Sequence, residues 1–285
     1  MPRVLEYLEL ARDEIAALDR ETTLFVSVVA PIEVHGGHLP VGTDLYVAEG
    51  ILRRTVEQLD GWTVVRLPDL LLGAQAIPAR GSIRIKAKVL ESALESWGMG
   101  LAELGFRYWI VFDNHGGVTH QLAEATAAAR LLRKGFNLII PFVSIFHDMT
   151  WEKTGLQLKP GCDGGAEDAH AGTNETSLML ALSPHRIRPG WENLPRWKPA
   201  RETVMGKFGR LLKQPLLGMA MDWFAAPDNP HYVGGPADAA VQAGYAMAEY
   251  HEAKSLELLN AARNGTYRSP RPYPLLVAAI SKLFE

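Results

Sequence analysis

Thr23–Ala30, TLFVSVVA, followed without a break by Pro31–Asp44, PIEVHGGHLPVGTD, is the stretch on which the fold turns. Its first half is apolar and β-branched, the composition of a short buried strand, and Pro31 ends it. Its second half is polar and glycine-rich and holds Glu33, His35 and Asp44. Open α/β sheets place their ligand sites at the carboxyl ends of such strands.

The pattern repeats on moving outward. Thr63–Leu67, Tyr108–Phe112 (YWIVF) and Leu138–Ile145 read as further strands. Between them, apolar residues at helical spacing predict helices over Asp44–Leu59, Lys86–Leu104 and His120–Lys134, with Gly105 and Gly135 as stops. In the second of these, Val89, Ala93, Leu94, Trp97, Leu101 and Leu104 are expected to share a face. Thr176–Leu182 and Pro236–Asn264 predict two more helices, the latter with Val241, Tyr245, Ala248 and Leu256 among its apolar positions, and residues 1–20 read as an amphipathic helix. Strands alternating with helices in this way predict an α/β fold whose parallel sheet is covered on both faces. Pro189–Pro230, rich in Pro, Trp and Gly, reads as an elaborated surface region, a lid or subunit contact. With no repeat, linker or low-complexity tract, residues 1–285 are expected to form a single domain.

Composition narrows the function classes. Lys and Arg number 29 against 32 Asp and Glu, a net charge of -3, so there is no electrostatic reason to expect nucleic acid or an anionic membrane as partner. A small-molecule substrate is the expectation. One cysteine excludes an intrachain disulfide and a cysteine-rich zinc site, so any metal must sit on His and carboxylates. No run approaches the roughly 18 to 20 apolar residues of a membrane span, and the acids in residues 1–20 are unlike a signal peptide. The cytoplasm is the expected location.

Three clusters carry chemistry. Glu33 and His35, two apart on an extended segment, point the same way, and Asp44 returns where a helix starts, its two oxygens able to serve two cations. Asp113-Asn114-His115-Gly116-Gly117 follows YWIVF, and its glycines let backbone pass close to a ligand while His115 remains the one bulky side chain at the turn. In Asp168–Ser177, Glu175 is either a favourable partner of a helix N-terminus, with Thr173 or Asn174 as cap, or a further metal ligand that leaves His170 free to exchange protons. Trp151, His147 and Asp148 are candidate pocket residues. Cys162 with His170 would make a nucleophile and base, but Cys162 sits in a glycine-rich loop with no helix N-terminus to lower its thiol pKa. His38, His120, His185, His231 and His251 read as surface, capping or structural groups, His38 being near enough to the first loop to support a ligand.

These motifs, in this order, resemble the creatininase (creatinine amidohydrolase) family. The similarity runs through Glu33–Asp44, His115-Gly116-Gly117 and His170-Ala171-Gly172 with Glu175-Thr176-Ser177. Weaker echoes are Arg80-Gly81-Ser82-Ile83 and Gly234-Gly235-Pro236. The resemblance implies a three-layer α/β/α sandwich with a mostly parallel sheet, two divalent cations (zinc, manganese or iron) and assembly into homo-oligomers, often hexamers. It implies Glu33 and His115 as ligands of one cation, His35 of the other and Asp44 as the bridge. It also implies hydrolysis of a carbon–nitrogen bond in a cyclic amide or formamide by a metal-bridging hydroxide, with His170 protonating the leaving nitrogen. A peptide or lactone bond is the alternative on the same site, as is a homologue that binds metal or ligand without turnover. Creatininase has a glutamate where this chain has Gly117, which leaves Glu175 as the replacement ligand and argues against creatinine itself. Val34, Gly37 and Arg80 also depart from the usual residues, as expected for a different substrate.

Overall fold

Thr23–Val28 forms strand β2, buried along its whole length. Its side chains divide between two cores: Leu24, Val26 and Val28 enter one, Phe25 enters the other. A strand apolar on both faces belongs in the middle of a covered sheet, and the computed structural model, which describes residues 3–145, 168–199, 203–211, 222, 223, 226 and 228–270, places it there. Around it lie β1 (Arg3–Glu6), β3 (Thr63–Arg66), β4 (Tyr108–Phe112) and β5 (Asn137–Ile139), in the order β1-β3-β2-β4-β5. Every pairing is parallel.

The described helices are α1 (Arg12–Ala17), α2 (Thr43–Val56), α3 (Ala87–Glu103), α4 (Val118–Leu132), α5 (Pro141–Ile145), α6 (Thr173–Leu182), α7 (Val204–Leu211) and α8 (Val241–Arg263). One face of the sheet is covered by α2, α6 and α8, through Val47, Ile51, Leu178, Met179, Ala243 and Met247. The other is covered by α3 and α4, through Leu90, Leu94, Ala127 and Leu131. The result is the three-layer α/β/α sandwich. No described helix is long and apolar enough to cross a membrane. From β2 the chain passes to β3 on one side, whereas β4 lies on the other. The loops leaving the carboxyl ends of β2 and β4 therefore part at a topological switch point, where such sheets form a crevice.

Several local expectations change. Residues 1–20 are not one helix: Arg3–Glu6 is an edge strand paired with β3, and only Arg12–Ala17 is helical beyond a single turn. Sheet pairing supplies hydrogen bonds that a helical pattern does not foresee. Leu138–Ile145 splits into a strand and a short helix that starts at Pro141, where a proline suits the first helical turn. In α3 the buried stripe is Leu90, Leu94, Gly98 and Leu101, while Val89 and Leu104 are exposed, a rotation of the expected face. Helix α6 starts at Thr173, so Glu175 lies in its first turn. Pro236–Asp238 is a separate 3-10 turn before α8, which begins at Val241 with Val241 and Tyr245 outward.

Candidate metal centre

Each of the three clusters is held by a local device. After β2, Ile83 N–H donates to the Ile32 carbonyl (2.9 Å) and Val34 N–H to Ser82 Oγ (3.1 Å), so the Arg80–Ile83 turn braces the first loop. Gly36, at φ +63°, reverses that loop, and Glu33 N–H donates to the Val41 carbonyl (2.9 Å), bringing Asp44 back in the first turn of α2. After β4, the Asp113 carboxylate accepts His115 N–H (3.0 Å). In the third cluster, neither Thr173 nor Asn174 caps α6 with its side chain. Asp168 accepts both their N–H groups (2.6 and 3.0 Å) from outside the helix. Ala171, at φ +47°, donates its N–H to Glu175 Oε2 (2.6 Å). His170 is pinned through its backbone, whose carbonyl accepts the N–H of Val233 (2.8 Å), the residue just before Gly234-Gly235-Pro236.

The fold brings Glu33, His35, Asp44, His115, His170 and Glu175 to one place. His35 Nε2 is 3.5 Å from Asp44 Oδ2, 3.5 Å from Glu175 Oε2 and 4.0 Å from Glu33 Oε2, and His115 Nδ1 is 3.1 Å from Glu33 Oε2. Donor atoms of Glu33, Asp44 and His115 lie within 4.8 Å of one another, as do those of His35, Asp44 and Glu175, so Asp44 is common to both groups. The tautomers are set by backbone carbonyls. His35 Nδ1–H donates to the Glu33 carbonyl (2.9 Å) and His115 Nε2–H to the Ala74 carbonyl (3.0 Å), which leaves His35 Nε2 and His115 Nδ1 as lone pairs.

Glu33 Oε2, His35 Nε2 and both oxygens of Asp44 are buried with no hydrogen-bond partner. Groups of this kind are expensive to bury unless something pairs them, and imidazole with carboxylate is a donor set that divalent zinc, manganese or iron accepts. The residues fit the cations. The electrostatics agree. Burial works against the Glu33 carboxylate, yet His115, His170 and His35 hold it below its ordinary range. Burial pushes Asp44 up to about 7, and burial together with Asp44 raises Glu175. His115 is raised to about 9 because the facing Glu33 carboxylate outweighs burial, whereas burial lowers His35. Positive charge is short in this pocket.

His170 stands beside the centre. Its ring stacks on His35 at 4.3 Å between centroids, and Trp223 lies against it at 5.0 Å. Its Nε2–H donates to the Val34 carbonyl (2.8 Å), so Nδ1 is its basic nitrogen, and burial, then His35, lower it to about 4. His170 also forms a donor group with Glu33 and His35. His38 is buried and its Nε2 meets Thr176 Oγ1 (3.1 Å), tying the first loop to α6. At Gly117, a Cβ would stand 2.5 Å from His115 Nε2 and 3.1 Å from the Ala74 carbonyl, so no side chain fits there while His115 keeps this position. A fully buried trio, Asp113, His120 and Glu124, lies behind His115 and gave no motif beyond a His and a Glu four apart on one helix face. Trp223 fell in a stretch without periodicity. Trp151, His147, Asp148 and Cys162 lie outside the described residues.

Comparison with known proteins gives the chain a family. Residues 8–259 match the creatininase family, described as creatinine amidohydrolase. A mycofactocin precursor peptide peptidase of Mycolicibacterium smegmatis (strain ATCC 700084 / mc(2)155) is 31% identical over 167 residues, 56% of this chain and 58% of that protein. Its counterpart in Mycobacterium tuberculosis (strain CDC 1551 / Oshkosh) is 31% identical over 177 residues, 57% and 61% of the two chains. The chain thus spans about three fifths of the length of these curated relatives. Among solved structures, a manganese creatininase superposes with a TM-score of 0.64 at 18% identity, covering 93% of this chain and 99% of that one. A second creatininase structure gives 0.65 at 19% identity over 90% and 96%. With the family profile spanning both the sheet and the three clusters, the chain belongs to the creatininase family.

Proposed function

We propose that the protein is a metal-dependent hydrolase of an amide-type carbon–nitrogen bond, with Glu33, His35, Asp44, His115 and Glu175 holding two divalent cations. The carrying observation is the convergence of buried donor atoms that have no hydrogen-bond partner on a point shared by Asp44. Glu33 and His115 would hold one cation and His35 and Glu175 the other, with Asp44 in reach of both. When bound, such cations supply Lewis acidity and a water of lowered pKa. The protein's own residues do the rest. Hydrolysis adds hydroxide to the carbonyl carbon and a proton to the leaving nitrogen, and an amide nitrogen leaves poorly without that proton. His170 carries it: Nε2–H is committed to the Val34 carbonyl, so Nδ1 is the nitrogen free to take up and deliver a proton. Burial keeps that nitrogen unprotonated at rest.

The substrate proposed on family grounds is a small cyclic amide or a formamide. A peptide bond is the second reading, and it is favoured by the curated relatives, which are peptidases of a precursor peptide. A near-balanced charge of -3 supports neither nucleic acid nor membrane as partner. We further propose a cytoplasmic homo-oligomer, a hexamer on family grounds, which light scattering checks. The test of function is metal analysis of the purified protein with a panel of lactams, hydantoin-like rings, formamides and short peptides, each with and without chelator. Chelator-sensitive turnover of one class supports the reading and names the class. Unchanged turnover by metal-free protein rejects it, and a fully loaded protein inert toward every class, lactones included, leaves a binding homologue.

A further inference from the structure

Ala74 stands between two histidines. Its N–H donates to His120 Nδ1 (3.1 Å), and its carbonyl accepts His115 Nε2–H (3.0 Å). The first bond decides the His120 tautomer, because a ring nitrogen that accepts has no proton of its own and Nε2 must then carry the hydrogen. That Nε2 points between two fully buried carboxylate oxygens, Asp113 Oδ2 at 3.5 Å and Glu124 Oε1 at 3.4 Å. None of these three atoms has a hydrogen-bond partner, so ring and carboxylates face one another at ion-pair distance. Their spacing alone would suit a third cation, but an Nε2–H has no lone pair to give one. Asp113 completes the circuit, since its other oxygen accepts His115 N–H (3.0 Å). His115 is therefore gripped twice, at its backbone by Asp113 and at its ring by Ala74, and His120 touches both grips. The two rings meet edge to face at 5.0 Å.

We propose that His120 is a positioning residue for the metal centre: by holding Ala74 and facing Asp113, it fixes His115 with its proton on Nε2 and its Nδ1 lone pair turned to the cation shared with Glu33 and Asp44. The inference rests on the reading of those three residues as a cation site. Partners that orient a ligating histidine are typically worth about ten- to a hundredfold in metal affinity.

The test compares His120→Leu, which keeps volume and removes the acceptor, with His120→Asn, whose side-chain oxygen can take the place of Nδ1 toward Ala74 N–H. Mn²⁺ binding is titrated calorimetrically into metal-free protein, and the ring tautomers of His115 and His120 are read by ¹⁵N NMR in wild type loaded with diamagnetic Zn²⁺, in which the cation displaces the second His115 proton. The expected result is one Mn²⁺ site weakened about ten- to a hundredfold in His120→Leu, recovery in His120→Asn, and wild-type protons on Nε2 of both rings. Unchanged affinity in His120→Leu, no recovery in His120→Asn, or a His120 proton on Nδ1 overturns the inference. So does a third Mn²⁺ per chain that His120→Leu abolishes. Should His120→Leu not fold, the tautomers and His120→Asn still decide. Wild-type protein that takes up no Mn²⁺ rejects the metal reading itself, whereas a wrong tautomer in a protein that binds Mn²⁺ rejects only the role of His120.

Discussion

His35 gives one nitrogen to the Glu33 carbonyl and keeps the other for Asp44 and Glu175; His170 gives one to the Val34 carbonyl and keeps the other beside Trp223. The same division of a ring serves two purposes, and substitution separates them. His35→Ala is expected to lose a cation and with it turnover, measured as metal content per chain. His170→Ala is expected to retain both cations while kcat falls by about 10²- to 10⁴-fold, the usual range for removing a general acid–base; a variant that also loses metal would make His170 a ligand instead. The charge state of the pocket gives a pH prediction. In metal-free protein Asp44 is raised to about 7 and His115 to about 9, so at lower pH each carries a proton that a cation must displace. Raised values mean protons compete with the cation from below. Mn²⁺ affinity should therefore weaken as pH falls from 8 to 6, approaching about tenfold per unit for each proton displaced. Calorimetric titrations giving one affinity throughout that range would contradict this.

Helix α6 carries Glu175 and packs against α8 at Gly244, where a Cβ would lie 1.9 Å from the Ser177 carbonyl. Glycine to alanine inside a helix normally stabilises by up to about 1 kcal/mol. Here backbone meets backbone, and Gly244→Ala is expected to destabilise by about 1–3 kcal/mol, with weakened cation uptake as α6 shifts; denaturant unfolding and metal titration read both. Elements of this kind also show what sequence can reveal. Strand β4 is legible to the residue because YWIVF is apolar throughout and bounded by polar residues. The first loop is legible because Glu33, His35 and Asp44 lie within 12 positions of one another. Leu138–Ile145 misleads, since an apolar run looks alike as strand or helix until Pro141 is given its place. His120 misleads more deeply. Nothing near it in the chain says that it will accept from Ala74, 46 positions earlier, and long-range backbone bonds of this type leave no mark on local composition.

At the scale of the whole molecule, the centre joins α2 and α6 on one face of the sheet to the loops leaving β2 and β4. A cation bound there as proposed would tie layers together, and folding free energy would then include its binding. Chelation should lower the melting temperature, and returning Mn²⁺ or Zn²⁺ should restore it. A metal held at a hundred times its Kd contributes about 2.7 kcal/mol per site, which in a chain of this size corresponds to roughly 5–10 °C. A melting curve indifferent to chelator would show that the buried carboxylates are balanced in some other way.

The bridge between His170 and Val233 has a consequence for the order in which the protein is made. His170 takes its backbone pairing from a residue 63 positions further along, whereas Glu33, Asp44 and His115 are already synthesised by then. A ribosome that has delivered the sheet and the chain through His170 still holds a histidine that can reach the Val34 carbonyl and the His35 ring but lacks its backbone pairing. The backbone at His170 is thus fixed late, once Val233 has left the exit tunnel.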